Sequence, residues 1–355
     1  MAKGKGKQRK RIRKRRWDEQ SDQDAVSREA RKARGRDTGV GAPVEVDLDL
    51  DALFTNAETN GLVVSPYGVL AFVELDGEEV LCRVADELTD GRNSVLAPGD
   101  KVKVEVLEGE RFVTAVRTRR NKLSRPGIYK EREQVFAANL DLMVVVASAA
   151  KPRFRPGLVD RYLIAAEVGG VSPVLVVNKM DLADEPPDLI DAYRALGAPV
   201  LMTSCVENRG IEELREALAN KTSVLTGQSG VGKSSLLNTI DPELDVRVQS
   251  VSDSTEKGRH TTTTTRMYRL PDNIRVIDTP GIKQLALWGV SSEEVHHYFP
   301  DIFEHAAECK FRDCAHEQEP GCAVRAALEE GEIAEARYES YKRIRDSLAA
   351  EEDVY

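Results

Sequence analysis

Two short runs of this chain have the composition and spacing of phosphate and base chemistry. Asn178-Lys179-Met180-Asp181 comes first, and 46 positions beyond Asp181 begins Gly227-Gln228-Ser229-Gly230-Val231-Gly232-Lys233-Ser234. The second run is a GxxxxGKS loop. Its backbone N–H groups can wrap phosphates while Lys233 reaches the β and γ oxygens and Ser234 meets Mg2+. The first run can read guanine. An Asp181 carboxylate accepts from both N1–H and the N2 amine, a donor pair that adenine lacks, so the wrong base leaves a buried acceptor unpaired. Conventional GTPases present the phosphate loop before the base-reading box. The reverse order here predicts a circularly permuted GTPase.

Two more boxes fall in the permuted order. Asp278-Thr279-Pro280-Gly281 follows the apolar run Ile274-Arg275-Val276-Ile277. Asp278 is expected to hold Mg2+ through water and the Gly281 N–H to sense the γ-phosphate. Thr203-Ser204-Cys205 follows Pro199-Val200-Leu201-Met202, and Ser204 and Cys205 are expected to back the guanine. Many GTPases place a water-orienting Gln directly after the DTPG glycine, but here that residue is Ile282, which neither donates nor accepts. Ser252 to Arg266 is rich in Ser, Thr, Lys and Gly without an apolar period, as a mobile first switch would be. Within it, His260 is the hypothetical water-orienting residue. Thr262, with Thr261 second, is expected to complete the Mg2+ shell, and Lys233 to act on the phosphates.

The elements that must position these groups are legible around them. Ser223-Val224-Leu225-Thr226 is a strand entering the phosphate loop, and Ser235-Leu236-Leu237-Asn238 opens a helix after it. Pro173-Val174-Leu175-Val176-Val177 delivers Asn178 at a strand end, where open α/β sheets bind ligands. Strand and helix patterns alternate from Leu142 to Asp278, including a helix over Arg161 to Val168 ended by Gly169-Gly170. Upstream, five short strands lie at 61–64, 69–73, 80–84, 101–106 and 112–116, punctuated by Pro66, Asp76-Gly77 and Pro98-Gly99-Asp100. They predict a small closed β-barrel of the OB type, an architecture that commonly binds nucleic acid.

Beyond about residue 290 the pattern is helical. Ser291 or Ser292 would cap Glu293-Glu294-Val295, and a last amphipathic helix would run from Ala326 to Ala349. Between them Cys309, Cys314, His316 and Cys322 lie within fourteen residues. Three thiolates and an imidazole predict a closed tetrahedral zinc site with no position for a catalytic water. The expected architecture is therefore multidomain. It comprises a basic disordered tail and acidic linker (1–57), an all-β OB-fold barrel (58–118), a circularly permuted α/β P-loop GTPase domain (119–289) and a small helical zinc-binding domain (290–355).

Charge is strongly segregated along the 355 residues. Residues 1–36 hold fifteen Lys or Arg against five acids, so the remainder carries −19 of a total of −9. A tail of this kind has no apolar period and suits a polyanion such as RNA, bound in a salt-dependent way. It lacks the apolar core of a signal peptide, and no run approaches a membrane span. Five cysteines, three clustered near a His, fit a reducing cytoplasm. The basic stretch Arg117 to Arg125 reads equally as a phosphate-touching or a simply exposed connector.

Together the permuted order of Asn178-Lys179-x-Asp181, Gly227 to Ser234 and Asp278 to Gly281, the Gly258-Arg259-His260-Thr261-Thr262 segment, the upstream barrel and the Cys3His cluster resemble one family. It is that of the circularly permuted small ribosomal subunit biogenesis GTPases, RsgA or YjeQ. The resemblance covers residues 58 to about 345 and leaves the tail outside it. It implies a late-acting assembly factor that binds the nearly mature small subunit and its rRNA, hydrolyses GTP to GDP and phosphate there, and thereby leaves. A monomer, with no membrane partner, is the default expectation. An alternative is an RNA-binding GTP switch in which hydrolysis is incidental. A DNA-binding regulator is weaker, since Lys310-Phe311-Arg312-Asp313 offers no recognition helix.

Overall fold

The computed structural model describes residues 53–90, 93–127, 133–244, 265–278 and 286–352. The readings made for the tail 1–36 and the acidic run 45–51 lie outside these residues. So do those for His260, Thr261, Thr262, Gly281 and Ile282.

The N-terminal barrel is built from β1 (Phe54–Thr55), β2 (Gly61–Tyr67), β3 (Leu70–Leu75), β4 (Glu78–Val84), β5 (Lys101–Leu107) and β6 (Glu110–Arg117). They run in the order β1-β6-β4-β3-β2-β5, and the β5–β6 pairing closes the ring. Alternation decides which face is inside: Val102 and Val104 are buried while Lys101 and Lys103 are exposed. Val63, Val73, Val102, Val113 and Val116 fill the interior with no exposed surface. Asp76 and Gly77 both take positive φ, as a two-residue hairpin between β3 and β4 requires.

The segment read as a basic connector leads instead into a β-hairpin, β7 (Lys122–Pro126) with β8 (Glu133–Ala138). Arg119 is turned inward, while Arg120 and Lys122 stay about half exposed and pair at the surface. Arg119 meets the fully buried Asp100 at 2.7 Å, Arg120 meets Asp141 at 2.5 Å and Lys122 meets Glu133 at 2.6 Å. Leu123 alone is deeply buried in β7, too little apolar pattern for a strand to announce itself.

The GTPase part follows as β9 (Leu142–Ser148), α1 (Pro156–Val168), β10 (Ser172–Asn178), α2 (Ile190–Ala195), β11 (Val200–Met202), α3 (Ile211–Leu218), β12 (Thr222–Thr226), α4 (Lys233–Ile240), β13 (Arg266–Leu270) and β14 (Ile274–Asp278). Its sheet has the order β11-β10-β9-β12-β14-β13, parallel throughout except for β13. β9 is buried at every position, the continuous apolar run of a strand covered on both faces. Apolar clusters lie on both faces of this sheet, one with Tyr162 and Tyr193 on the α1–α2 side, the other with Leu214 and Leu236 on the α3–α4 side.

The C-terminal layer holds a 3-10 turn (Val295–Tyr298), α5 (Pro300–Ala306), α6 (Ala323–Glu330) and α7 (Glu335–Glu352). The single helix expected over 326–349 is two. Gly331 takes φ +81° and caps α6, because the left-handed conformation ends a helix and costs glycine nothing. Ser291 does meet Glu294, its N–H and hydroxyl both donating to Oε2 at 3.1 and 2.9 Å, but the turn they precede is 3-10 rather than α. Buried Arg337 ties this layer to the GTPase part through Asp160 on α1, while Asp301 on α5 of the same layer takes its other nitrogens. Among the described residues no helix is long and apolar enough to cross a membrane.

Candidate nucleotide site and metal centre

β10 and β12 flank β9 and run the same way, so the two motifs leave neighbouring strand ends at one edge of the sheet. The base-reading run and the phosphate loop are joined directly there. Asn178, 1% exposed, donates from Nδ2 to the Val231 carbonyl at 2.9 Å. Its Oδ1 accepts from the Thr203 hydroxyl at 3.0 Å and faces Cys205 Sγ at 3.9 Å. Lys179 takes φ +64° and throws its ammonium across the loop, donating to the carbonyls of Gly230 at 2.6 Å and Lys151 at 2.7 Å. Asp181 accepts from the Ser204 hydroxyl at 2.6 Å, so Ser204 orients the carboxylate expected to read the base.

The phosphate loop bends through Gly227, Gly230 and Gly232, all at positive φ. At Gly227 a Cβ would strike the Val146 carbonyl oxygen, and at Gly232 it would strike the Asn178 amide, so close approach as well as φ selects glycine. Gln228 and Gly230 are half-buried and Ser229 is exposed, while Val231 is buried. Gly232 precedes α4, whose first turn carries Lys233, Ser234 and Ser235 with N–H groups unsatisfied within the helix, a ready anion site. Lys233 Nζ donates to the carbonyls of Gly227 at 2.7 Å and Gln228 at 3.1 Å. Burial pushes its pKa down, and the Asp278 carboxylate opposes that shift. Asp278 ends β14 beside Leu225 of β12, two residues before Gly227. The serine hydroxyl and the carboxylate oxygen there suit a hard cation such as Mg2+.

In the C-terminal layer Cys309, Cys314, His316 and Cys322 place their ligand atoms within 4.8 Å of one another and could hold a metal ion. Cys309 and Cys322 Sγ are 3.9 Å apart, and each lies 3.5 Å from His316 Nδ1. Tetrahedral zinc with ordinary bond lengths spaces sulfur from sulfur by about 3.8 Å and sulfur from nitrogen by about 3.6 Å. The cluster fits that size. Burial pushes the Cys314 thiol up to about 12 and the His316 imidazole down. A cation among the sulfurs would oppose the first shift, and the second leaves the imidazole in the neutral form that ligates a metal. Glu319 was not foreseen in this role: its carboxylate accepts from the N–H groups of Ala315, Glu317 and Gln318 at 2.9, 2.8 and 3.0 Å, shaping the loop that carries His316. An acid closing a loop on backbone N–H groups leaves no spacing signal. Tyr338 adds a bond from its hydroxyl to the His316 carbonyl at 2.5 Å.

A glycine loop at a helix N-terminus, a base-reading box on the next strand but one, and their reversed chain order define a circularly permuted P-loop GTPase. A model of the RsgA GTPase family matches residues 116–288. The small ribosomal subunit biogenesis GTPase RsgA of Pectobacterium carotovorum subsp. carotovorum (strain PC1) is 42% identical over 302 residues, 81% of this chain and 84% of that protein. The crystal structure of YjeQ from Thermotoga maritima matches with a TM-score of 0.63 at 34% identity, over 82% of this chain and 98% of that one. YloQ, described as a circularly permuted GTPase, matches with a TM-score of 0.60 at 29% identity, over 83% and 97%. The chain belongs to the RsgA family of small ribosomal subunit biogenesis GTPases and is a GTP hydrolase.

Proposed function

We propose that this protein binds the small ribosomal subunit late in its maturation, hydrolyses GTP to GDP and phosphate on it, and is released as a result. The observation that carries the nucleotide half of the reading is the Asn178–Val231 bond, which joins the base-reading strand to the phosphate loop, and the 42% identity to a small-subunit biogenesis GTPase supports the rest. In this reading Asp181 selects guanine, Ser204 and Cys205 back it, and Lys179 braces the loop. The loop from Gly227 to Gly232 and the first turn of α4 hold the phosphates. Lys233 turns from its own loop carbonyls to the β and γ oxygens, whose negative charge offsets the burial of its ammonium. Mg2+ would be held by Ser234, Thr262 and, through water, Asp278, and would supply charge neutralisation at the phosphates. Gly281 senses the γ-phosphate. Ile282 cannot orient water, so His260 is assigned that task.

The Cys3His cluster holds one structural zinc with no open position. The parts are the tail and linker 1–57, the RNA-binding barrel 58–118, the GTPase domain 119–289 and the zinc domain 290–355. The barrel and zinc domain grip rRNA, and the protein works as a cytoplasmic monomer. The test is GTP hydrolysis by the protein alone, with small subunits and with large subunits at fixed salt. Stimulation by small subunits only is the expected result. No stimulation by either would reduce the function to an RNA-binding GTP switch.

A further inference from the structure

The strand that rejoins the sheet after the first switch is held by the barrel. Ser65 of β2, 6% exposed, donates its hydroxyl to the Thr265 carbonyl at 3.1 Å. At the next residue, Arg266 Nη2 meets both oxygens of Glu79 at 2.7 and 2.8 Å, and its guanidinium lies 5.6 Å from the Phe72 ring centroid. Met267 continues the joint in apolar form, buried in one cluster with Val64, against which Leu62 and Phe72 of the barrel pack.

The charges at this joint are matched across it. Glu79 stands directly opposite Glu74 on the β3–β4 ladder, a like-charge pair that disfavours the barrel alone. Across the joint are three guanidiniums on β13 and β14: Arg266 on Glu79, with Arg275 at 3.0 Å and Arg269 at 3.9 Å from Glu74. The two ends of the joint differ in what they adjoin. Arg275 sits at the start of β14, away from the nucleotide. Arg266 lies in register with Asp278, so its cross-strand neighbour is a carboxylate of the nucleotide site.

We propose that Glu79, a barrel residue, is a positioning residue for GTP hydrolysis: it keeps the Arg266 guanidinium on the barrel side, so that Asp278 serves the nucleotide-bound magnesium. This rests on the magnesium role assigned to Asp278 above. When Glu79 loses its charge, Asp278, in register with Arg266 across the ladder, competes for the guanidinium, and an Arg266–Asp278 pair opposes the cation. The barrel thereby sets the magnesium demand of a site to which it contributes no ligand.

The test follows release of a fluorescent GDP and turnover of GTP by the full-length protein across a magnesium titration. Glu79→Gln should raise the magnesium concentration for half-maximal GDP retention about threefold to fivefold, the scale of one cross-strand ion pair. Turnover should fall by a similar factor at limiting magnesium and recover in excess. Glu79→Gln with Arg266→Gln should restore the parent's magnesium dependence, and Glu74→Gln, which loosens the other end of the joint, should leave it unchanged. Glu79→Asp, a milder change, should shift it in the same direction by less. Parental magnesium dependence in both Glu79 variants overturns the proposal. A double variant as impaired as the single, or an equal effect from Glu74→Gln, also overturns it by showing that only barrel docking matters. A parent protein whose GDP release ignores magnesium sinks the magnesium reading as well as this one.

Discussion

The Asn178 side-chain amide donates to the Val231 carbonyl across 53 residues of sequence, and both groups are buried. The bond makes Asn178 a brace of the phosphate loop. Its other amide atom is spent on Thr203, so a single side chain ties together three segments of the nucleotide site.

Asn178→Ala is therefore expected to weaken GDP and GTP alike. It strands a buried carbonyl and a buried hydroxyl, at about 1–3 kcal/mol per group, and the low end for the two together, about 2 kcal/mol, corresponds to roughly a 30-fold loss of affinity. Titration with a fluorescent guanine nucleotide checks it, and a loss confined to GTP would refute the bracing role.

Asp181→Asn should change the base rather than abolish binding. An amide offers one donor and one acceptor, which suits xanthine, whose C2 oxygen accepts where guanine's amine donates. Competition between GTP and xanthosine triphosphate should invert in the variant. Unchanged preference for GTP would remove Asp181 from base recognition.

Metal removal should act on the C-terminal layer first. Cys322 and Cys309 border the same apolar cluster as Phe299, Val324 and Ile344, so losing the cation opens that cluster. A chelator, or Cys322→Ser, should lower the melting temperature and release one zinc per chain, while GDP binding persists. Release of no metal from freshly purified protein would contradict the zinc assignment.

Arg337→Met leaves Asp160, 1% exposed, as a buried carboxylate without its guanidinium. Breaking such a pair typically costs 3–5 kcal/mol. Urea unfolding should show a loss on that scale, and adding Asp160→Asn should recover much of it. Additive losses in the double variant would mean the two residues act independently.

Glu319 carries a pH signature. Backbone N–H groups, its own first, hold its pKa at about 2 against an ordinary 4.5, so folding favours the charged form. The contribution is full above about 4.5 and fades as pH falls through about 2. Glu319→Gln should lower the melting temperature by a few degrees near neutrality, and the gap from the parent should close in acid. A gap that widens below pH 4.5 would be the wrong sign.

Local chemistry was legible in the chain itself. The phosphate loop, the base-reading box and the Cys3His cluster are contiguous runs whose spacing is set by backbone geometry within a turn or two, so residue types alone mark them. The valine alternation of β5 and the apolar run of β9 likewise announce a half-buried and a fully buried strand. The break at Gly331 was within reach too, since glycine between two apolar helical patterns is a stop signal. Other features depended on partners far along the chain. The direction of the Asn178 amide, the pairing of Arg119 with Asp100 and the seating of Arg266 on Glu79 are each settled by a residue tens to hundreds of positions away. An isolated Glu or Arg in a strand reads as a solvated face until packing removes the water and leaves it one partner. The sequence by itself determined the phosphate-loop and guanine motifs of a GTPase and a Cys3His set that could hold a metal. Tertiary structure alone decided that the barrel grips the strand beside Asp278, because burial and register across separate strands exist only once the sheet and the barrel have met.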